Sequence, residues 1–325
     1  MKIVVLDGYL LGFGGRSWEP IARHGEFVYH DMTTAQDDVA AVIGNADAVY
    51  TNRCPVSAET IGRCPNLKMI CSFGTGYNQI DLDAANRRGI AVCNIPSYGR
   101  GAVAQMAAAL LFAIVRNVSA FDHYVKTVGW TSPNDPEICS IRQMELTGKT
   151  IGILGMGDIG YAVAKIAMAM DMKVLAYRRR PDPSLENEQL RFVDLDTLLR
   201  ESDILSLHCP LTDETRGMIN REALAKMKDG AILINTGRGA VLEEAAVVEA
   251  LDSGKLYAVG ADVFSGDPCG RDNPLANHPR CIATPHVAWT PEETRDRVIA
   301  IAGENLAAFL ANRPQNVVNA PKPVQ

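Results

Sequence analysis

The sequence predicts an α/β protein made of two domains, each built around a parallel sheet. The chain has 325 residues, which is long enough for two hydrophobic cores. Short apolar runs alternate with helical patterns in the first part of the chain, and a glycine-rich turn opens a second such series after residue 150. Because parallel strands need crossover connections, which are usually helices, this alternation indicates parallel sheets.

The first part of the chain contains short apolar runs that are bounded by turn residues. These runs predict strands at 2–6, 48–51, 67–71 and 90–92. Helical patterns lie between them at 18–24, 37–45, 58–63 and 82–88, and Gly89 closes the last of these helices. From Val103 to Val118 apolar residues recur at i, i+3 and i+4, which predicts a long helix that enters the second domain.

The second part of the chain begins with a segment that has no clear period. Residues 121–145 include Trp130 and Pro133 and are expected to be irregular, either functional or a contact arm. Later strands are predicted at 151–154, 173–177, 204–208, 231–235, 257–261 and 282–283, with helices near 194–201, 221–227 and 243–253. A final helix is expected to begin with Thr290 as its N-cap.

A G-x-G-x-x-G motif, formed by Gly155, Gly157 and Gly160, joins the apolar run 151–154 to a helical pattern. In this context the first glycine permits a tight turn, the second lets a pyrophosphate approach the backbone, and the third lets the helix pack on the strand. The N–H groups and the positive end of the helix dipole would hold the phosphates. The motif predicts a dinucleotide site, and a glycine turn without a ligand is the alternative.

The residues after the next strand indicate which dinucleotide is bound. NAD-binding units place an Asp or Glu about 20 residues past the glycines, where it accepts from the ribose 2′-hydroxyl. This sequence instead has Arg178, followed by Arg179 and Arg180. Guanidinium groups attract a 2′-phosphate, which a carboxylate would repel. The trio therefore favours NADP(H), with NAD(H) also possible, and a solvated basic loop is the alternative.

The composition, with 47% hydrophobic and 22% charged residues, is that of an ordinary soluble globular protein. The net charge of −6 gives no indication of nucleic-acid binding. We expect a first strand at the N-terminus rather than a signal peptide, and no apolar stretch long enough for a membrane span. The eight cysteines form no CxxC pair and several lie in apolar runs, so we expect free thiols in a reducing cytoplasm and no metal site.

Three polar stretches follow predicted strands of the second part. Arg238 lies in Asn235-Thr-Gly-Arg-Gly239, Asp267 lies in the stretch that begins at Asp262, and His286 lies in Thr284-Pro-His-Val-Ala-Trp289. Ligands of open α/β sheets bind at the carboxyl ends of strands, so an arginine, a carboxylate and a histidine are expected at the same edge as the nicotinamide. Each residue alone could belong to a solvated or capping loop, but their convergence favours a catalytic group.

These stretches and others make the chain resemble the D-2-hydroxyacid dehydrogenase family over nearly its whole length. It is most similar to the glycerate dehydrogenase or hydroxypyruvate/glyoxylate reductase branch. Other matching stretches are Val5-Leu-Asp-Gly8, Thr51-Asn-Arg-Cys-Pro55, Ser72-Phe-Gly-Thr-Gly-Tyr-Asn78, Asn94-Ile-Pro-Ser-Tyr98, Val103-Ala-Gln105, Leu146-Thr-Gly-Lys-Thr150 and His208-Cys-Pro-Leu-Thr212. The resemblance implies two Rossmann-like domains with an active site in the interdomain cleft. Residues 1–100 plus 290–325 would form the substrate domain, and 101–289 the dinucleotide-binding domain.

The resemblance also implies a mechanism, the reduction of a 2-keto acid to a D-2-hydroxy acid. His286 would donate a proton to the carbonyl oxygen, and Arg238 would bind the substrate carboxylate and polarise the carbonyl. An acidic partner would orient His286, but Asp267 stands where the family normally has Glu. Because Asp is one methylene shorter, direct contact is not assured, and a water or a loop shift would otherwise fill the gap.

Two sets of binding residues follow from the same matches. The residues expected to bind substrate, besides Arg238 and His286, are Arg53, Gly74, Thr75 and Gly76. The residues expected to bind cofactor are Val103, Gly155, Met156, Gly157, Asp158, Ile159, Gly160, Arg178, Arg179, Cys209, Pro210, Thr215, Thr236, Asp262 and Ala288. Several of them could instead have structural roles.

The resemblance leads to one principal hypothesis, an NADPH-dependent cytoplasmic reductase of glyoxylate and hydroxypyruvate. A reductase of a bulkier 2-keto acid is one alternative. A dinucleotide-sensing, corepressor-like interaction protein is another, and the replacement of Glu by Asp267 is the feature that supports it. The segment 121–145 resembles the arm through which such enzymes dimerise, so we expect a homodimer.

Overall fold

A computed structural model describes residues 1–132 and 134–320 of the chain. The chain divides into two compact units. The first, here called the split unit, consists of Met1–Tyr98 together with the residues from Thr290 onward, and the second, the continuous unit, is Gly99–Trp289. Each unit contains its own parallel sheet, so the structure confirms the predicted α/β class with two parallel-sheet domains.

The split unit is built on a five-stranded sheet with the order β2-β1-β3-β4-β5, in which every pair is parallel. Its strands are β1 (Lys2–Val5), β2 (Glu26–Tyr29), β3 (Ala48–Thr51), β4 (Met69–Ser72) and β5 (Ala91–Cys93). The helices between them are α1 (Tyr9–Gly12), α2 (Glu19–Ala22), α3 (Val39–Ile43), α4 (Ala58–Arg63) and α5 (Leu82–Arg87). The strand order reverses at β1, so the carboxyl ends of β1 and β3 form a switch point.

The continuous unit is built on a seven-stranded parallel sheet with the order β12-β11-β10-β9-β6-β7-β8. Its strands are β6 (Thr150–Leu154), β7 (Lys173–Tyr177), β8 (Leu190–Phe192), β9 (Ile204–Leu207), β10 (Ala231–Asn235), β11 (Leu256–Ala261) and β12 (Cys281–Ala283). Its helices are α6 (Arg100–Arg116), α7 (Val118–Thr127), α8 (Pro136–Ser140), α9 (Asp158–Ala169), α10 (Leu195–Glu201), α11 (Arg221–Lys226) and α12 (Glu244–Asp252).

The C-terminal helix α13 (Glu292–Leu310) belongs to the split unit. Gly303 lies so close to the carbonyl of Pro20 that a Cβ would collide with it, so α13 packs tightly against α2. The prediction that Thr290 caps this helix is wrong, because Pro291 is the N-cap residue. After the helix, Val317 forms an antiparallel bridge with Cys93 and covers the edge of β5.

The structure corrects the expectation of an irregular segment at 121–145. Asn117, with φ of 48°, ends α6 and begins α7, and α8 follows. Tyr124 is the one buried residue of α7, and the other apolar residues of this helix are partly or largely exposed. Pro133 lies outside the described residues. Strands β2 and β8 were also missed, since their burial is incomplete and their sequences are short.

Among the described residues, no single helix is both long and apolar enough to cross a membrane. The bent pair formed by α6 and α7 passes that test by length and composition only.

Candidate functional site

The glycine loop joins β6 to α9 through close backbone packing. Gly155 has a φ of 102°, and a Cβ there would lie 2.5 Å from the backbone N of Cys209. A Cβ on Gly160 would collide with the carbonyl of Gly155, so the helix packs directly on the turn. Apart from its chain neighbours, a Cβ on Gly157 would meet no atom of residues 1–132 and 134–320 within 4 Å. Gly155 and Gly160 therefore serve packing, whereas Gly157 borders open space.

Polar groups next to this loop fit a bound dinucleotide. Within the described residues, no side chain caps α9 at Gly157, so the positive end of the helix can face an anion. The Oγ1 of Thr236 and the Nδ1 of His208 are buried and have no hydrogen-bond partner within the described part of the chain. These residues follow β10 and β9, which are paired strands. Since buried polar atoms nearly always have partners, the two atoms and the open space at Gly157 suit a polar ligand.

Arg178 and Arg179 have different surroundings. Arg178 follows β7 and donates from Nη1 to the carbonyl oxygen of Met156, at 3.2 Å, so its guanidinium lies beside the glycine loop. Arg179 forms an ion pair with Glu214, with 3.3 Å between Nη1 and Oε2, and both side chains are largely exposed. Arg180 is exposed. Of the trio, Arg178 is thus the one that directly contacts the turn expected to hold the phosphates.

His286 follows β12 in a backbone conformation that is uncommon for a residue with a side chain. Its φ is 55°, in the left-handed region. Its N–H donates to the backbone oxygen of Asp262, at 2.8 Å, and Nδ1 of its imidazole contacts the Asp267 carboxylate directly. Both side chains remain partly exposed, at 27% and 30%. The shorter Asp267 side chain therefore reaches His286 without a bridging group.

The loop that presents Asp267 is held by a residue that the sequence did not indicate. Glu244, in the first turn of α12, accepts from the backbone N of Ser265 at 2.5 Å and from Nδ2 of Asn273 at 2.9 Å. These two bonds fix the loop on both sides of Asp267. Glu244 lies in no recognisable sequence motif, and only the folding of the chain brings it next to this loop.

Arg238 lies in a turn that packs against both neighbouring loops. The buried Asn235 shapes this turn, because its side chain donates to the carbonyl of Arg238 at 3.1 Å and accepts from the N of Gly237 at 3.0 Å. A Cβ on Gly239 would collide with the backbone of Phe264, three residues before Asp267. The Arg238 turn and the Asp267 loop are therefore in backbone contact at the ends of β10 and β11.

The other expected cofactor residues of the continuous unit occupy the same edge or its flanks. Thr215 closes the turn after β9, since its Oγ1 donates to the carbonyl of Pro210 at 2.6 Å and accepts from the N of Thr212 at 2.8 Å. Cys209 is half-buried in that turn, and Val103 is buried on α6. The N–H of Ala288 donates to the Asp262 carboxylate at 2.9 Å.

The expected substrate residues of the split unit follow β3 and β4, which are neighbours in its sheet. Asp7, at the end of β1, accepts from the backbone N of Asn52, Arg53 and Cys54 at 2.7, 2.5 and 2.9 Å. Burial raises the pKa of Asp7, although these three bonds oppose the rise. Asp7 thus fixes the turn of Arg53, a role that the sequence motif alone did not reveal.

Gly74, Thr75 and Gly76 form a turn after β4 that is held mainly by hydrogen bonds. The carbonyl of Gly76 accepts from Oγ of Ser72 at 2.7 Å, and the carbonyl of Thr75 accepts from Nδ2 of Asn94 at 2.9 Å. The carbonyl of Gly74 accepts from the N of Ile95 at 3.0 Å. Three hydrogen bonds thus hold the carbonyl groups of this turn.

Comparison with known proteins identifies close relatives. The chain is 46% identical to the hydroxypyruvate reductase of Blautia hydrogenotrophica over 321 residues, which covers 98% of this chain and 100% of the relative. It is 36% identical to the glycerate dehydrogenase of Methylorubrum extorquens, with 91% and 92% covered. It is 39% identical to the glyoxylate reductase of Thermofilum pendens, with 81% and 78% covered.

Solved structures and a family model agree with these relatives. A Thermus thermophilus protein matches with a TM-score of 0.86 and 35% identity over 98% of this chain and 100% of that one. An acyclic imino acid reductase solved with NADPH and D-Arg matches with a TM-score of 0.85 and 30% identity, covering 98% and 100%. Residues 108–288 match the NAD binding domain of the D-isomer specific 2-hydroxyacid dehydrogenases. The resemblance found in the sequence is confirmed: the chain belongs to the D-isomer specific 2-hydroxyacid dehydrogenase family.

Proposed function

We propose that the protein reduces a small 2-keto acid, glyoxylate or hydroxypyruvate, to the D-2-hydroxy acid with NADPH, and that His286 is the proton donor. The observation that carries this proposal is the contact between His286 and Asp267 at the edge of the sheet where Arg238 and the glycine loop also lie. An imidazole, a carboxylate and a guanidinium are the groups that reduction of a 2-keto acid requires.

The contact with Asp267 determines how His286 acts. The Asp267 carboxylate accepts a hydrogen bond from Nδ1–H of His286. Nε2 is then the atom that gives a proton to the carbonyl oxygen of the substrate and takes it back in the reverse direction. Reduced nicotinamide, when bound, supplies the hydride that reaches the keto carbon. Arg238 binds the carboxylate of the substrate and stabilises the negative charge that develops on its carbonyl oxygen.

The choice of substrate is supported by the relatives. Relatives that are 46%, 36% and 39% identical to this chain are named hydroxypyruvate reductase, glycerate dehydrogenase and glyoxylate reductase. We propose the same small substrates here, with the backbone N–H groups of Gly74, Thr75 and Gly76 and the side chain of Arg53 as further contacts for the substrate carboxylate. The split unit would then be the substrate domain. The bulkier 2-keto acid stays the alternative within the enzyme class.

The preference for NADPH rests on Arg178. Its guanidinium contacts the glycine loop from the end of β7, where an NAD-specific site would place a carboxylate. Arg179 is the second candidate, and it must exchange its pairing with Glu214 for the 2′-phosphate. That pair is exposed, so breaking it costs about 0–1 kcal/mol.

The corepressor-like alternative has lost its supporting feature. It rested on the doubt that Asp267 could reach His286, and the two side chains are in contact.

We also propose that the protein is a homodimer. Val118, Val125, Val128 and Trp130, on α7 and just after it, are 65%, 52%, 57% and 69% exposed, and a second copy of the chain would cover this apolar surface. The eight free thiols support a reducing compartment, and we propose the cytoplasm.

A substrate panel with both cofactors tests this function. Initial rates with glyoxylate, hydroxypyruvate, pyruvate and 2-ketoisocaproate would be measured with NADPH and with NADH. We expect the highest kcat/KM for glyoxylate or hydroxypyruvate with NADPH. A much faster reaction with NADH would overturn the cofactor assignment, and a clear preference for 2-ketoisocaproate would establish the bulkier-substrate alternative.

A further inference from the structure

The buried carboxylate of Asp262 is engaged by the segment that carries His286. Asp262 follows β11 and is 1% exposed. Its Oδ1 accepts from Oγ1 of Thr284 at 2.5 Å and from the N of Val287 at 3.0 Å, and its Oδ2 accepts from the N of Ala288 at 2.9 Å. Hydrogen bonds to a carboxylate are stronger than those between neutral groups, and more so in a dry interior.

These bonds lie on both sides of His286. Thr284 is two residues before it, and Val287 and Ala288 are the two residues after it, while the N–H of His286 itself donates to the backbone oxygen of Asp262 at 2.8 Å. Between these attachments the backbone of His286 has a φ of 55°, in the left-handed region that few residues with a side chain adopt. The attachments therefore enforce the conformation that directs the imidazole to Asp267.

We propose that Asp262 is a positioning residue, whose carboxylate holds the His286 backbone in the left-handed conformation needed for proton transfer. This inference rests on the proposed function of His286. It gives Asp262 a role in addition to the contact with the cofactor that the family resemblance implies, because three donors of the chain engage its carboxylate and a carboxylate has about four acceptor positions. Loss of one donor displaces His286 without removing any group that touches the substrate.

The sharpest test removes one donor and leaves the aspartate in place. Thr284→Val keeps the shape of the side chain and deletes the bond to Oδ1, whereas Thr284→Ser keeps the hydroxyl. We expect Thr284→Val to lower kcat about tenfold with an unchanged Kd for NADPH, since small displacements of a catalytic group cost up to about 100-fold. Thr284→Ser should restore most of the rate. Asp262→Asn should lower kcat further, and a rise in its Kd for NADPH would report the additional contact with the cofactor.

A control and a direct structural readout complete the test. Asp203 lies just before β9 and accepts from the N of Thr150 and from Nζ of Lys228, each at 2.8 Å. Asp203→Asn is the control, because it removes a partly buried carboxylate that does not lie at the strand ends where the site is. It should leave kcat unchanged. Imidazole signals in ¹⁵N–¹H NMR spectra should shift for His286 in Thr284→Val and return in Thr284→Ser.

Two results would overturn the proposal. The first is an unchanged kcat in both Thr284→Val and Asp262→Asn together with a raised Kd for NADPH in Asp262→Asn, which would make Asp262 a cofactor contact alone. The second is a Thr284→Val variant whose kcat and His286 signals both match the original protein. Failure of the proposed function would be recognised by a different result: the unsubstituted protein would show no turnover of any 2-keto acid. The NMR shifts would still report whether Thr284 and Asp262 position His286.

Discussion

Asp267 and His286 are in direct side-chain contact, although the aspartate is one methylene shorter than the glutamate that this family normally has at that position. The contact is possible because Glu244 holds the Asp267 loop through Ser265 and Asn273. A carboxylate on Nδ1 fixes the tautomer and orientation of the imidazole. The shorter side chain is therefore compensated by the position of its loop.

The first prediction concerns this pair. Asp267→Asn keeps an oxygen near His286 and removes the negative charge, so we expect kcat to fall on the order of 100-fold, as for loss of general acid–base assistance. The measurement is the steady-state reduction of hydroxypyruvate. Asp272→Asn, an exposed aspartate of the same loop, is the control and should retain full activity. An undiminished kcat in Asp267→Asn would show that the contact is not needed.

The second prediction separates two glycines of the same motif. The methyl group of Gly157→Ala would enter open space, so the variant should fold normally. It should bind NADPH more weakly, by about tenfold or more, because the methyl group occupies the place of the pyrophosphate. Gly160→Ala collides with the carbonyl of Gly155, so it should lower the free energy of unfolding by about 1–3 kcal/mol. Thermal unfolding and fluorescence titration with NADPH measure both effects. The same outcome in both variants would contradict this division of roles.

The third prediction concerns cofactor preference. Arg178→Asp should raise the KM for NADPH about 10- to 100-fold, through loss of charge-assisted hydrogen bonds, and should improve the use of NADH. Arg180→Asp makes the same charge change at an exposed site and should have a much smaller effect. Equal effects in the two variants would mean that overall charge, rather than the position of Arg178, determines the preference.

The fourth prediction is a pH dependence of stability. Burial lowers the pKa of His208 to about 4, from an ordinary value of 6.5. Between these values the unfolded chain binds a proton at His208 that the folded chain does not, so the free energy of unfolding falls as pH falls, by up to about 3 kcal/mol from this residue.

Urea denaturation between pH 7 and pH 4 tests that dependence. His208→Gln can keep a bond to Ser206 and removes the titrating group, so its stability should fall less steeply with acid than that of the original protein. His123→Gln, at an exposed residue, is the control. Parallel curves for His208→Gln and the original protein would contradict the shifted pKa.

The structural features that could be predicted from the sequence are those that depend on local patterns of residues. The glycine motif and the strands β6, β7 and β10 stand out because apolar runs and turn residues are adjacent in the chain. The turns of Arg238 and His286 could be placed at strand ends for the same reason. Helix α7 was missed although Val118, Phe121 and Tyr124 recur at helical spacing, because the prolines in the rest of the 121–145 segment favour an irregular structure.

The residues that support the site could not be predicted, because they act through the fold. Glu244 is separated from Ser265 by 21 residues, and Asp7 from Arg53 by 46. Neither carboxylate lies in a spacing that indicates its partner. Asp262 was expected to contact the cofactor, and only the structure shows that its carboxylate binds the His286 segment.

The central claim is that His286 donates the proton in an NADPH-dependent reduction of a small 2-keto acid. The most direct measurement is kcat for hydroxypyruvate reduction at saturating NADPH by the original protein and by His286→Gln, with the Kd for NADPH as a check on folding. We predict a loss on the order of 1000-fold in kcat with NADPH binding retained. A His286→Gln variant that binds NADPH and still turns over hydroxypyruvate at the original rate would contradict the account.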